Sequence, residues 1–136
     1  MTMIELEIPP RTAYVGVVRL ALASLGRSLD LDNELVDDLK IAVSEACTNA
    51  VLSNEEAGGD HPVSVKWTQE ARRVVVEVAD RGTIYDQRAD DDSLSSGGIS
   101  ARITMSVAML STLVEGFEIA PRQGGGNRAR LVFPLP

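Results

Sequence analysis

The segment IAVSEACTNAVLSN, residues 41–54, limits the fold most tightly, because it is built for burial yet carries a carboxylate. Glu45 is its one charged side chain among fourteen residues. Leu35 and Leu39 just before it and Ala42, Ala46 and Ala50 within it recur at helical spacing. Asp32 is placed to cap the helix, with Glu34 in the first turn, where the helix dipole favours negative charge. AGG at 57–59 ends it, with Gly58 as a natural cap. On this helix Ile41, Glu45, Asn49 and Leu52 share one line at four- and three-residue steps, beside the apolar stripe. A buried carboxylate is costly unless it is paired or meets a cation. Two readings follow. In one, Glu45 reaches solvent and Asn49 hydrogen-bonds a neighbouring loop. In the other, Asn49 is a magnesium ligand and Glu45 a base beside it. The second suits a metal that takes few protein oxygens and leaves its other positions to phosphates and water.

The rest of the chain supplies what such a helix can pack on. Ile4, Leu6 and Ile8 alternate with polar residues as a strand, which PP at 9–10 ends. Val15, Val18, Leu22, Leu25 and Leu29 mark a first helix, weakened by Gly16 and Gly26. PVSVKWTQ (62–69) and RRVVVEVAD (72–80) read as a hairpin. A long polar segment, 81–98, follows, of a length that tends to be functional. Residues 99–113 have helical spacing, and VEGFEIA and ARLVFPL are two further strands joined by PRQGGGN. GGG at 124–126 is expected to be a hairpin loop and not a phosphate cradle, because no helix follows it. The order β-α-α-β-β-loop-α-β-β predicts an α+β fold: a two-layer sandwich with a mixed, mostly antiparallel sheet and helices on one face. With 136 residues and no internal repeat or linker, a single domain over 1–136 is expected.

Charge and cysteine content narrow the function. A net charge of -7 argues against a nucleic-acid surface, which needs clustered Lys and Arg. It is compatible with a basic protein partner, with a metal-nucleotide ligand, or simply with solubility. Cys47 is the single cysteine and lies in the apolar run, so it reads as a small core residue. Neither a disulfide within the chain nor a Cys/His metal cluster is expected. No apolar run is long enough for a transmembrane helix, and the N-terminus lacks the pattern of a signal peptide. A cytoplasmic, membrane-free protein is expected.

VSEACTNAVLSN, followed about thirty residues later by VEVADRG, resembles the N-box and first glycine box of the GHKL-type (histidine kinase-like) ATPases. Within them it is most similar to the anti-sigma factor serine/threonine kinases, small regulators of bacterial stress and sporulation sigma factors. The resemblance spans nearly the whole chain and implies the Bergerat-type ATP-binding fold, ATP and Mg²⁺ as cofactors, and a homodimer. The implied partners are a sigma factor, which is sequestered, and an anti-anti-sigma protein, which is phosphorylated on serine. By the same resemblance Glu45 is the general base on the substrate serine, and Asn49 holds Mg²⁺. Asp80 accepts the adenine amino group, and Gly82 lets the backbone approach the base. Gly97 and Gly98 stand at the second glycine box beside a lid over ATP, and Arg19 contacts the sigma factor. The sequence departs from the family pattern at four places. Ile84 stands at the second glycine of D-x-G-x-G, the second box has adjacent glycines, Asn127 is the nearest match to an adenine-contacting Thr, and LSN follows the N-box. The alternative is a degenerate GHKL-fold binding module that sequesters a partner without significant ATP binding or kinase activity.

Overall fold

The computed structural model of the chain describes residues 2–82 and 99–135. Strand β1, Thr2–Ile8, is followed by a short 3₁₀ turn and helix α1, Val15–Ser28. Helix α2, Asn33–Glu56, is 24 residues long, about 36 Å at the ordinary helical rise. Strands β2, Val63–Gln69, and β3, Arg73–Ala79, make the expected hairpin. Helix α3, Ile99–Leu110, then precedes β4, Gly116–Pro121, and β5, Asn127–Pro134.

The five strands form one sheet in the order β1-β2-β3-β5-β4. The sheet expected to be mostly antiparallel is antiparallel at every described pairing. β5 inserts between β3 and β4, so the strand leaving α3 takes the edge and the last strand returns to the centre. The side-chain alternation of each strand then divides the sheet into two unlike faces. Val65, Trp67, Val76, Val78, Leu131 and Phe133 are buried with Val18, Leu22, Leu39, Val43, Ala46 and Val51 from α1 and α2 in one core. The other face carries a row of alternating charge across all five strands. Glu5 pairs with Lys66, Lys66 with Glu77, Glu77 with Arg130, and Arg130 with Glu118. Opposite charges directly across a ladder favour that register, and their water contact makes the protein two-layered.

The start and end of α2 follow the sequence. The Asp32 carboxylate accepts from the Glu34 backbone N–H at 3.3 Å. Gly58 takes φ +71° just past the helix, where the Gly58 N–H bonds the Glu55 carbonyl. Gly26, a weak point in α1 by propensity, has a packing reason. A Cβ there would lie 2.6 Å from a Val36 methyl, so the glycine lets α1 approach α2. Cys47 is wholly buried and burial pushes its thiol up to about 12, so it is a core residue and no nucleophile.

Candidate functional site

The side of α2 that carries Glu45 and Asn49 connects two polar clusters. Glu45, Asn49 and Ser53 follow at four-residue steps, so the line continues to Ser53 and not to Leu52. Glu45 and Ser53 are about 12 Å apart along the axis. Ile41, at the head of the line, is half exposed, whereas Asn49 and Ser53 are buried.

At the far end of this line Ser53 meets Asp80, the residue that follows β3. Asp80 is buried, and among the described residues the hydrogen bonds its carboxylate accepts converge on Oδ1. They come from the Gly82 N–H at 2.8 Å, the Asn127 N–H at 3.2 Å, the Asn127 side-chain amide at 3.1 Å and the Ser53 hydroxyl at 3.4 Å. Asn127 Nδ2 also donates to Ser53 Oγ at 3.2 Å, so α2, β3 and β5 close on one carboxylate oxygen. Burial is the largest influence on Asp80 and pushes its pKa up, while the four donors oppose the rise. Asn54 braces the same corner. Its amide donates to the His61 carbonyl at 3.0 Å, and its carbonyl accepts from the Arg81 N–H at 3.1 Å.

Two glycines are required for this closeness. A Cβ on Gly82 would strike the Ser53 backbone. A Cβ on Gly126, at φ +86°, would strike the Asp80 carbonyl. The triple glycine is thus the hairpin loop expected, and its last member presses against the β3 exit. Gly82→Ala is expected to lower stability by about 3 kcal/mol by overpacking. A urea titration would read this as a lower midpoint at unchanged slope. An unmoved midpoint would mean that the strand exit yields freely.

At the near end, Glu45 and Asn49 face α3. Arg102 Nε donates to Asn49 Oδ1 at 2.8 Å, and Arg102 Nη2 to Glu45 Oε1 at 3.0 Å. The Ser106 hydroxyl donates to the same Glu45 oxygen at 2.6 Å. The carboxylate in the apolar helix is therefore paired, and its cation is a guanidinium of the next helix. Among the described residues Asn49 bonds the Arg102 side chain of a helix and not a loop, and Glu45 keeps about a quarter of its side chain exposed while paired. Asn49 and Glu45 present hard oxygens, which is the chemistry magnesium selects. Among the described residues no group of three His, Cys, Asp or Glu side chains gathers to hold a metal ion.

Arg19, on α1, lines an open groove with Lys40, Ile41, Thr48 and Met109, and Glu45 stands in the same groove. The structure thus brings Arg19, Glu45 and Asn49 to one side of the helical layer, and joins Asp80 and Gly82 to it through Ser53. Gly97, Gly98 and Ile84 lie outside the described residues. Sequence reasoning missed Ser53, Arg102 and Ser106. Ser53 had a signal, as the next four-residue step after Asn49. Arg102 and Ser106 had a fainter one, a polar pair four apart in an apolar helix.

Residues 8–133 match the family model described as histidine kinase-like ATPase domain. Serine-protein kinase RsbW of Bacillus pumilus is 33% identical over 136 aligned residues, which cover 90% of this chain and 80% of that protein. Serine-protein kinase RsbW of Bacillus velezensis is 36% identical, over 89% of this chain and 79% of that one. The counterpart from Bacillus subtilis is 32% identical, with the same two coverages. Among solved structures, that of the RsbU and RsbW domains of Rv1364c from Mycobacterium tuberculosis superposes with a TM-score of 0.74. It shares 20% identity and covers 99% of this chain, which spans 33% of that one, so it bears on the fold.

Proposed function

The chain belongs to the histidine kinase-like ATPase family, with RsbW serine-protein kinases as relatives, and from that premise we propose that it is an anti-sigma serine kinase. It sequesters a sigma factor and uses Mg-ATP to phosphorylate a serine on an anti-anti-sigma protein. It works as one ATPase domain over 1–136, in the cytoplasm and as a homodimer. Among the described residues no helix is long and apolar enough to cross a membrane, which is compatible with that setting.

The observation that carries the reading is the line Glu45–Asn49–Ser53, which runs along α2 to the Asp80 cluster. Asp80 takes the adenine amino group, held in place by Ser53, Asn127 and Gly82. Asn49 holds Mg²⁺, which when bound neutralises charge on the phosphates. Glu45 accepts the proton of the attacking serine hydroxyl. Gly97 and Gly98, which lie outside the described residues, are assigned to nucleotide binding by the family resemblance. Arg19 contacts the partner protein, on a groove whose apolar side chains Ile41 and Met109 are half exposed beside Glu45.

The test is equilibrium titration with Mg-ATP, followed by transfer of labelled phosphate to the anti-anti-sigma protein. Asn49→Ala is expected to weaken Mg-ATP binding about tenfold, the cost of one lost charged contact. Its binding of metal-free ATP should change much less. Equal losses with and without magnesium would remove Asn49 from the metal. A wild-type protein that binds no nucleotide would leave the degenerate binding module instead.

A further inference from the structure

The contacts of α3 with Glu45 and Asn49 are not those of an open phosphotransfer site. We propose that α3 carries an internal stand-in for both reactants, resting on the kinase reading above. The Arg102 guanidinium takes the cation's place between Asn49 and Glu45, and the Ser106 hydroxyl takes the incoming serine's place on Glu45. The chain is thereby held inactive until a Mg-nucleotide displaces the pair.

Three features carry this. First, Arg102 Nε sits 2.8 Å from Asn49 Oδ1, and Asn49 is buried. A magnesium ion on that oxygen would approach to about 2.1 Å, against a guanidinium already bonded to the same atom. Two cations cannot share one amide oxygen at those distances without strong repulsion. Second, Glu45 Oε1 accepts from both Arg102, at 3.0 Å, and Ser106, at 2.6 Å. The Ser106 hydroxyl donates to that oxygen as an incoming serine hydroxyl would have to, so it stands in the substrate's position there. Ser106 is itself buried, so this is a packed contact and not a surface encounter. Third, Arg102 and Ser106 stand four apart on one face of α3. A shift of that one helix would break all three bonds together.

The strength of the hold is limited. The Arg102 and Glu45 side chains retain 38% and 24% exposure, so solvent screens their attraction. The pair competes with nucleotide binding without forbidding it.

The experiment is calorimetric binding of Mg-AMP-PNP to the full chain as wild type, Arg102→Ala, Arg102→Lys and Ser106→Ala. Arg102→Ala is expected to bind about tenfold tighter, the scale of a charge-assisted contact removed from competition. The gain should shrink when magnesium is omitted. Ser106→Ala should leave nucleotide affinity unchanged and raise serine transfer several-fold. Unchanged affinity in Arg102→Ala overturns the proposal and leaves the kinase reading standing. Weaker binding by that variant makes Arg102 a phosphate ligand and also overturns it. If neither protein binds at millimolar ligand, the nucleotide reading fails and the stand-in with it. Phosphate found on Ser106 would make it a substrate, which again overturns the proposal. Thermal melts accompany each titration, because Arg102→Ala uncovers the buried Asn49. Should that variant not fold, Arg102→Lys decides the matter. It keeps one donor, a gain of a few-fold supports the proposal, and no gain or a loss overturns it.

Discussion

Glu45→Gln is expected to slow serine phosphorylation by a factor of about 10²–10⁴, the usual contribution of a positioned general base. That corresponds to about 3–5 kcal/mol of barrier. The substitution keeps the shape of the side chain and still offers an amide oxygen to Ser106 and Arg102, which donate to Glu45 at 2.6 and 3.0 Å. It removes the negative charge that, in the proposed role, would draw a proton from the substrate. The cost in stability is small, because the Glu45–Arg102 pair is partly exposed and such pairs contribute about 1 kcal/mol or less. Partner binding and nucleotide affinity should stay within a few-fold of wild type. The measurement is single-turnover transfer of labelled phosphate at saturating Mg-ATP, with partner affinity measured beside it. Loss of partner binding in proportion to loss of transfer would deny Glu45 the role of base, and undiminished transfer would do so directly.

Glu45 and Asn49 could be read from the sequence because a charge and an amide stand out in a helix otherwise made of small and aliphatic side chains. The helix itself was visible at both ends, in the Asp32 cap and in Gly58. What α2 meets could not be read in the same way. Arg102 lies 57 residues from Glu45 and 53 from Asn49, and an arginine near the start of a helix is ordinary surface composition. Only the packing of α3 on α2 gives it a meaning. Ser53 was passed over because the line was continued by a three-residue step to Leu52, whereas the helix keeps the four-step neighbour on that side. The strands were legible through their alternation, but the placement of β5 between β3 and β4 depends on pairing between distant residues, which alternation does not encode. The charge row Glu5–Lys66–Glu77–Arg130–Glu118 becomes visible only once that order is known. Asn127 entered as a family departure, a poor match to threonine. Its side chain and its backbone both donate to Asp80, a link between β5 and the β3 exit that the sequence did not display.

Asp80→Asn should separate stability from ligand recognition by raising the first and removing the second. Burial raises the Asp80 pKa above the ordinary value of 3.8, although four donors favour the charged form. The folded chain therefore holds this proton to higher pH than the unfolded chain does. Between 3.8 and the raised value the folded state binds more protons, so stability contributed by this group falls as pH rises. The full penalty is present above the raised value, neutral pH included. Asparagine carries no such charge, and its Oδ1 can still accept from Gly82, Asn127 and Ser53. The variant should melt higher than wild type at pH 7, and the difference should shrink on acidification towards 3.8. Nucleotide binding should move the other way. The second carboxylate oxygen becomes an NH₂ group facing the adenine amino group, a donor against a donor. ATP affinity should fall about 10²-fold, the cost of one frustrated buried polar pair. Preference for ATP over GTP should collapse with it, because the guanine carbonyl now meets a donor. Melting curves at several pH values and paired ATP and GTP titrations measure both arms. A variant that melts lower at pH 7 would mean that the ionised carboxylate holds the α2, β3 and β5 corner together more strongly than its burial opposes it. Unchanged ATP preference would place the adenine away from Asp80.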